Sequence, residues 1–212
     1  MPSSGNGVIR PWQIARSEQV ADCRIFKVRK EVAINPRTGQ PHDMYVLDQP
    51  NWVNVIPMTH DEQVILVQQW RHGSHTVELE TPGGLMDEGE TPEQCARREL
   101  LEETGYEPGE LVRLGTVRPN PAIQNNLQYY MLATNCRKIG EPALDHAEDI
   151  VVRLAPLSQI DGMIRSGQIT HGIVIGGFYW VWQYRQGERQ RGLLKTRHGV
   201  SFCDGACSEQ PR

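Results

Sequence analysis

Three glutamates, Glu99, Glu102 and Glu103, occur close together in an acidic stretch of the sequence. The stretch from Gly83 to Glu107 carries eight acidic residues and two basic ones, although the formal net charge of the whole chain is only −4. In a helix the three side chains would fall within an arc of roughly 100°. Clustered carboxylates without a His or Cys at ligand spacing favour Mg²⁺, with Mn²⁺ as a possible substitute, over zinc.

Sequence signals at both ends predict that these glutamates lie on a helix over Pro92–Thr104. Thr91 can act as the N-cap and complete a capping box with Gln94, and proline suits the first helical position. Gly105 can adopt the left-handed conformation that ends many helices. The predicted helix carries the three carboxylates in its last turns, beside its apolar face, so they can face a cleft.

The placement of these glutamates is unfavourable for the helix alone. Glu99 and Glu103 form a like-charged i,i+4 pair, and the C-terminal end of a helix dipole favours cations over carboxylates. Residues that break such local rules often belong to functional sites, and a bound divalent cation would offset both costs. The alternative is a solvated helix face on which glutamates cluster by chance.

The residues around the helix form a longer pattern. From Gly84 to Tyr106 the sequence is G-x5-E-x7-R-E-L-x-E-E-x-G-Y. It resembles the signature of the Nudix hydrolases at every defining position, although Tyr106 stands where an aliphatic residue is common. The resemblance implies an α+β protein with the Nudix fold, an α/β/α sandwich around a mixed β-sheet, here with an N-terminal β-rich unit. It also implies a Nudix pyrophosphatase, which hydrolyses a nucleoside diphosphate linked to another moiety.

The resemblance also implies roles for residues of this pattern. Its metal ligands would be the helical carboxylates and one backbone carbonyl, namely Glu99, Glu103, Glu102 and Gly83. Arg98 and Glu90 would form a supporting ion pair, and Arg98, four residues before Glu102, could orient that side chain. The metal would neutralise the diphosphate and lower the pKa of a bound water, so the reaction needs no protein nucleophile.

The attacking water needs a proton acceptor other than a carboxylate already bound to metal. In similar pyrophosphatases a glutamate on the loop before the final strand has this role, and here that loop is Leu144–Ile150. Glu148 is the predicted general base, because its longer side chain stands just ahead of the strand. His146 is the main rival, because its ordinary pKa suits a base at neutral pH, and Asp145 is a third candidate. The alternative is a loop that is merely solvated.

The segment Val67–Gly84 resembles the strand and loop that precede the signature in ADP-ribose and nucleotide-sugar pyrophosphatases. That resemblance implies that Arg71 reaches the substrate phosphates and that Glu80 lies in the site. Pro121 occupies the position of a proline characteristic of ADP-ribose pyrophosphatases, but it could equally be an ordinary loop proline. ADP-ribose is an expected substrate, with GDP-mannose or another nucleotide sugar close behind, since this chain has Gly83 where that branch more often has alanine.

Five further residues could recognise the base or the sugar. Trp12 and Trp52 offer ring faces on which a base could stack, although Trp52 could instead be the first core residue of its strand. Asn125, Asn126 and Gln128 could bond to a sugar or base through their amides, or could equally cap their own loop. These residues would form the nucleoside end of the site.

The rest of the chain predicts the elements that position these residues. Extended runs predict strands over 52–58, 64–70, 76–80, 111–117, 127–134 and 150–157, and helices are predicted over 158–166 and 170–185. The expected organisation is a disordered N-terminus (1–9), an N-terminal β-unit (10–50), a Nudix hydrolase domain (51–186) and an exposed tail (187–212). Within the β-unit, Gln19–Asp48 is predicted as a hairpin with too few apolar residues for its own core. It is expected to pack on a second copy, giving a homodimer, as in similar enzymes.

Composition narrows the remaining function classes. No apolar run approaches the roughly 18–20 residues of a membrane span, and the N-terminus lacks the pattern of a signal peptide. The acidic net charge argues against a nucleic-acid partner. The first three of the five cysteines, Cys23, Cys95 and Cys136, are expected to be reduced interior residues of a cytoplasmic protein. Cys203 and Cys207 lack the second ligand pair of a zinc site. Two other functions stay open: a non-catalytic sensor of nucleotide sugars, and a pyrophosphohydrolase of RNA 5′ ends, which would need a basic track for the RNA.

Overall fold

The computed structural model describes residues 8–146 and 148–197, with side chains up to residue 188. The strands of this part are β1 (Gln13–Asp22), β2 (Lys27–Ile34), β3 (Pro41–Asp48), β4 (Trp52–Thr59), β5 (Gln63–Arg71), β6 (Thr76–Glu80), β7 (Gly83–Leu85), β8 (Tyr106–Glu107), β9 (Glu110–Val117), β10 (Gln128–Lys138) and β11 (Ile150–Pro156). The helices are α1 (Pro92–Thr104), α2 (Leu157–Arg165) and α3 (Gly172–Arg197).

The strands form two sheets. β1, β2 and β3 form an antiparallel sheet, and the other eight strands form a mixed sheet whose main path is β11–β5–β4–β10–β8. β6 lies beside β5, β7 beside β4 and β9 beside β10. β4 and β10 run parallel, and the other pairs of this sheet run antiparallel. Only residues 81 and 82 link β6 to β7, so the chain crosses there from the side of β5 to the side of β4.

Helices cover both faces of the mixed sheet. On one face α1 packs Cys95, Ala96 and Leu100 against β4, β5 and β10. On the other face α2 and α3 pack apolar side chains such as Ile160 and Phe178 against the same sheet. β4 is covered on both faces, so all six residues over 53–58 are buried, and all of them except Asn54 are apolar. The predicted α/β/α sandwich around a mixed sheet is confirmed.

Helix α1 has the ends that the sequence predicts. The side-chain oxygen of Thr91 accepts a hydrogen bond from the backbone N–H of Gln94 at 3.2 Å, and the side-chain oxygen of Gln94 accepts one from the N–H of Thr91 at 2.8 Å. Gly105 ends the helix with φ of 73°. A Cβ at this position would lie 2.2 Å from the carbonyl oxygen of Gly140, so the stop also requires a glycine for steric reasons.

The N-terminal hairpin prediction is wrong in its number of strands. The first strand of the predicted hairpin over Gln19–Asp48 breaks at residues 23–26, where the N–H of Cys23 donates to the carbonyl of Phe26. β1 and β2 are therefore separate strands. Arg24 takes a positive φ of 67° in this turn, and the sequence offers no glycine or asparagine there to signal it. The three-stranded sheet meets the rest of the protein where the N–H of Leu47 donates to the carbonyl of Ile123.

The end of the last helix also differs from the prediction. α3 continues to Arg197 instead of ending near Arg185, so residues 187–197 are helical where an exposed tail was predicted. The segment lacks clear apolar periodicity, but it has no proline and is rich in Gln, Arg, Leu and Lys, which favour helices. The short strands β7 and β8 were not predicted, because segments of two or three residues carry no recognisable period.

Several remaining expectations concern the ends and the thiols. Residues 1–7 of the predicted disordered N-terminus lie outside the described residues, as do Cys203 and Cys207. Cys23, Cys95 and Cys136 are free thiols, as expected, although Cys23 is exposed and not an interior residue. No helix in the described ranges is both long enough and apolar enough to cross a membrane.

Candidate active site

Arg98 on α1 is bonded to most of the acidic side chains around it. Its guanidinium donates two hydrogen bonds to Glu90, from Nε at 3.0 Å and from Nη2 at 2.9 Å, which gives the bidentate geometry of a strong ion pair. The same side chain donates to Glu99 at 2.9 Å and to Glu102 at 3.2 Å. Nη2 also donates to the carbonyl oxygen of Leu85 at 3.1 Å. One cation therefore orients three carboxylates and connects α1 to β7.

The carboxyl groups of Glu99 and Glu103 are buried beside this ion pair. Burial raises the pKa of Glu103 to about 8, and the negative charge of Glu99 raises it further against the opposing hydrogen bond from Gly83. Burial also raises the pKa of Glu99, with Arg98 acting in the opposite direction. The backbone N–H of Gly83 donates to Oε2 of Glu103 at 3.1 Å. Burial and the surrounding negative charge therefore disfavour the ionised forms of both carboxyl groups.

The two glycines of β7 lie too close to other groups to carry a side chain. A Cβ on Gly84 would lie 2.2 Å from Oε1 of Glu99, and a Cβ on Gly83 would lie 2.3 Å from the carbonyl oxygen of Val53. Real Cβ atoms do not approach other heavy atoms this closely, so both positions require glycine in this packing. The close approach gives a physical reason for Gly83 in this chain. The ADP-ribose pyrophosphatase branch that the sequence resembles more often has alanine at this position.

The donor chemistry here suits a hard divalent cation. In this arrangement Arg98 holds Glu99, and the Gly83 N–H holds Glu103, and no group of three or more His, Cys, Asp and Glu among the described residues is arranged as a complete metal site. Burial is the main cause of the raised pKa of both glutamates, and neighbouring carboxylates add to it, so a cation at this point would favour their ionised forms. Carboxylate oxygens are the ligands that Mg²⁺ and Mn²⁺ prefer, so these residues fit such an ion.

Glu148 lies near the buried carboxyl groups although it is far from them in sequence. Its negative charge contributes to the raised pKa of both Glu99 and Glu103, so the loop before β11 comes close to α1. The side chain is exposed, and its Oε2 accepts a hydrogen bond from the N–H of Asp145 at 3.0 Å. His146 on the same loop is also exposed. The charge of Glu148 therefore acts on both α1 carboxyl groups.

A cavity of about 720 Å³ lies beside the two glycines. Arg71, Glu80 and Trp52 line it together with Gly83 and Gly84. Both glycines thus line the cavity while they lie close to the carboxyl groups of α1, and the charge of Arg71 in the same cavity acts to lower the pKa of Glu103. A ligand in this space can approach the bare backbone of β7 closely, because no side chain covers it.

Arg71 and Glu80 form a tight pair in the cavity wall. Nε and Nη2 of Arg71 donate to the two carboxylate oxygens of Glu80 at 2.9 and 2.7 Å. Glu80 is 2% exposed. Burial alone would raise its pKa, but Arg71 and the neighbouring His171 outweigh burial and lower the pKa to about 2. Glu80 is therefore a permanent anion that holds the Arg71 side chain at the cavity.

The candidates for binding the nucleoside do not all meet at the cavity. Trp52 lines it, half-buried. Trp12 lies instead against His42, with ring centroids 5.6 Å apart, and Pro121 is exposed on a turn. Neither contributes to this cavity.

Asn125 bonds within the protein and does not line the cavity. Its Nδ2 donates to Oδ1 of Asp48 at 2.7 Å, and its Oδ1 accepts from the N–H of Gln49 at 3.2 Å. Both ends of the amide thus tie the loop before β10 to the end of β3. These contacts match the loop-stabilising alternative in the described chain.

Several polar residues of the cavity were not singled out from the sequence: Asn54, Thr81, Thr170 and His171. Asn54 is 6% exposed. It interrupts an apolar strand run, and a polar residue inside a predicted buried strand is the signal that could have found it. His171 carries no such signal, because it stands in a short connection between two helices. Gln128, one of the three amide candidates, lines the cavity and is 1% exposed.

Comparison with known proteins identifies a family. A family model described as a NUDIX domain matches residues 49–172. The chain is 33% identical over 140 residues to a GDP-mannose pyrophosphatase of Citrobacter koseri, a match that covers 62% of this chain and 73% of that protein. It is 29% identical over 143 residues to a methanol dehydrogenase activator of Bacillus methanolicus, covering 68% of this chain and 76% of that protein.

A solved structure supports the fold. A protein described as an ADP compounds hydrolase superposes with a TM-score of 0.77 at 21% identity, covering 86% of this chain and 98% of that chain. At this identity the likeness concerns the fold alone. It agrees with the sandwich described above.

The raised pKa of Glu103 predicts how the metal-free protein responds to pH. Between the ordinary glutamate pKa and about 8, the folded state holds a proton that the unfolded state has released. The free energy of unfolding in a chelator should therefore fall as pH rises through this window, by up to about 1.4 kcal/mol per pH unit. Glu103→Gln, which mimics the neutral acid, should flatten this fall in urea-unfolding measurements.

Glu110→Gln is the matched control, since Glu110 is exposed. Its unfolding free energy should follow the pH dependence of the unmodified protein. Parallel curves for the unmodified protein and Glu103→Gln would contradict the assignment of the raised pKa to Glu103.

Proposed function

This chain belongs to the Nudix hydrolase family, and we propose that it is a metal-dependent pyrophosphatase for a nucleoside diphosphate linked to a sugar. The proposed substrate is a nucleotide sugar such as GDP-mannose, or ADP-ribose, and the products are a nucleoside monophosphate and a sugar phosphate. The observation that carries the proposal is the bare backbone of Gly83 and Gly84. These glycines line a cavity of about 720 Å³ and also lie close to the buried carboxyl groups of α1.

Nudix hydrolases generally need a divalent cation, and the proposed ion here is Mg²⁺, or Mn²⁺. It would be held by carboxylates of α1 and one backbone carbonyl, namely Glu99, Glu103, Glu102 and Gly83. A bound ion of this kind supplies positive charge to the diphosphate and lowers the pKa of a bound water. Arg98 keeps the carboxylates of Glu99 and Glu102 oriented, and Glu90 in turn fixes Arg98 with two hydrogen bonds.

The cavity has a suitable size and lining for the rest of the substrate. Its volume lies within the roughly 300–1,000 Å³ typical of small-molecule sites. Arg71, oriented by Glu80, is proposed to bind a phosphate, because a guanidinium with free N–H groups suits phosphate oxygens. Trp52 is proposed to stack on the base. The GDP-mannose pyrophosphatase relative supports the choice of a nucleotide sugar.

Glu148 is proposed to take the proton of the attacking water. Its carboxylate is exposed and on a loop, and its charge reaches the carboxyl groups of α1. A base free of the metal accepts a proton more readily than a carboxylate that already binds one. Once deprotonated, the water attacks one phosphorus of the diphosphate, and the other phosphate leaves with its sugar or nucleoside.

Two other functions would leave different signatures. A non-catalytic sensor with the same fold would bind a nucleotide sugar without turning it over. An RNA 5′-end pyrophosphohydrolase would need a basic track, and the chain has a formal net charge of −4. No specific contact favours either of them over hydrolysis of a nucleotide sugar.

A hydrolysis screen tests the proposed function. With Mg²⁺ present, the full chain should cleave GDP-mannose, ADP-ribose or another nucleotide sugar much faster than nucleoside triphosphates or 5′-triphosphorylated RNA. Glu103→Gln or Glu99→Gln should lower kcat on the preferred substrate by at least about two to three orders of magnitude, because each removes a charged ligand. Glu110→Gln should keep full activity. Binding without turnover would support a sensor, and near-normal turnover in both α1 variants would contradict the site.

Replacing Glu148 tests the proposed base. Glu148→Gln should lower kcat about ten- to a thousandfold while KM and Mg²⁺ affinity stay within a few-fold, because the change removes a proton acceptor and leaves the binding groups in place. His146→Ala is the matched variant on the same loop and should keep its kcat. If His146→Ala loses activity and Glu148→Gln does not, His146 is the base instead.

We also propose a homodimer formed through the N-terminal sheet. Of the residues in β1, β2 and β3, only Ala33 is buried, and apolar side chains such as Ile14, Val20 and Tyr45 are about half exposed. A sheet without a covered apolar face is marginal in water, so a second copy would stabilise it. Ile25, in the turn between β1 and β2, lines the cavity, so dimer contacts of this sheet can affect the site.

Light scattering on the full chain measures this directly. The expected mass is twice the 24.0 kDa of one chain at micromolar concentration. Val20→Glu should shift the mass towards that of the monomer and lower activity, whereas the change Glu110→Gln on the mixed sheet should do neither. A fully active monomer would contradict the proposal.

A further inference from the structure

His171 shares a carboxylate oxygen with Arg71 in the cavity wall. Its Nδ1 lies 3.3 Å from Oε2 of Glu80, the same oxygen that accepts from Nη2 of Arg71 at 2.7 Å. The imidazole nitrogen is too poorly aligned for a regular hydrogen bond, so the contact is mainly electrostatic. Glu80 is almost fully buried and ionised, and it thus brings two nitrogen-bearing side chains together at one point.

The backbone around His171 is held in place on both sides. Its neighbour Thr170 donates a hydrogen bond to Glu78 at 2.6 Å, two residues before Glu80 on β6. The carbonyl of His171 accepts from the N–H of Ile175 at 3.0 Å in the first turn of α3. Consecutive residues before α3 therefore contact alternate residues of β6. These contacts fix the backbone of His171 and so limit the positions that its imidazole can reach by side-chain rotation.

The His171 side chain is partly exposed at the cavity. Nδ1 is buried against Glu80, yet 37% of the side chain is exposed, so the exposure belongs to its other atoms. His171 lines the cavity with Arg71. A carboxylate can only accept, so the proton that faces Glu80 is carried on Nδ1. Nε2 is then the nitrogen available to a ligand, and it donates to a phosphate oxygen when the ring carries protons on both nitrogens.

We propose that His171 and Arg71, both positioned by Glu80, form a phosphoryl-binding wall and that Nε2 of His171 bonds directly to a phosphate oxygen of the substrate. This inference rests on the proposed function for the identity of the ligand, and it adds a contact that the family signature does not include. His171 stands outside that signature, on the connection before α3.

Hydrogen-bond donors, more than net charge, suit this point to an anionic ligand. The charge of Glu80 is paired with Arg71, whereas Glu78 keeps its negative charge although it accepts a hydrogen bond from Thr170. The imidazole and the guanidinium are the groups that remain directed at the cavity. An imidazolium donates from both nitrogens, so it can bond to Glu80 and to a phosphate at once. The N-terminal end of the α3 dipole adds positive potential beside the ring.

Two isosteric replacements separate a ligand contact from a merely structural role. In His171→Asn the amide nitrogen can replace Nδ1 and keep the contact with Glu80, but nothing replaces Nε2. In His171→Gln the amide nitrogen reaches the position of Nε2. Steady-state kinetics of the full chain on GDP-mannose and ADP-ribose, together with thermal unfolding, compare these variants with His171→Ala.

His171→Ala and His171→Asn should both raise KM by about ten- to a hundredfold, as expected for a lost bond to a charged group, while kcat changes less than about threefold. His171→Gln should stay within about fivefold of the unmodified KM. If His171→Asn keeps the unmodified KM while His171→Ala loses it, the ring acts only through Glu80 and the proposal is overturned. A fall in kcat at constant KM would overturn it as well.

Titration with products distinguishes the two phosphates and does not depend on turnover. Calorimetry with a nucleoside monophosphate and, separately, with the matching sugar phosphate should show weaker binding of one of them in His171→Ala and His171→Asn. The affected product identifies which phosphate contacts Nε2, and equal affinity of all variants for both would refute the contact. A chain that hydrolyses none of the substrates would refute the proposed function, while this titration would still decide the role of His171.

Discussion

The burial of negative charge against bare backbone is the constraint on which the rest of this site depends. Glu103 and Glu99 lie behind β7, where the N–H of Gly83 donates to Glu103 and where Gly84 leaves room for Glu99. Burial raises the pKa of both side chains. The fold can hold this arrangement because α1 is anchored by caps at both ends and by an apolar face under the sheet. Buried carboxyl groups that lack a counter-charge disfavour their own ionised forms, and carboxylate oxygens are ligands that suit a hard divalent cation.

Two networks of arginine and glutamate side chains orient the residues of the site. Arg98 orients Glu99 and Glu102 while Glu90 fixes Arg98 in turn. At the cavity the relation is reversed, since the buried anion of Glu80 orients Arg71. The two networks are not independent, because the charge of Arg71 acts on the carboxyl group of Glu103.

The sequence predicted the parts of this structure whose signals are local. Helix α1 was predicted to the residue because its caps are encoded within the helix and its flanking positions. The three strands of the N-terminal sheet were not predicted. The turn between the first two depends on a left-handed backbone at Arg24, and arginine is not a residue type that indicates this conformation. The contact between His171 and Glu80 could not be predicted, because it depends on how α3 docks beside β6. Trp12 likewise shows that an aromatic residue in the right unit need not reach the cavity of its own chain.

The parallel pairing of β4 with β10 has a consequence for synthesis on the ribosome. Trp52 pairs with Gln128, so the hydrogen-bonding edge of β4 stays open until the chain has been made through β10. All the acidic residues of α1 leave the ribosome earlier than β10, so the complete sheet that buries them is not yet formed when they emerge. A nascent chain that ends before Lys138 therefore carries the complete signature but no site. The candidate site is therefore expected to assemble late in folding, since pairing between distant segments is the slow part of folding.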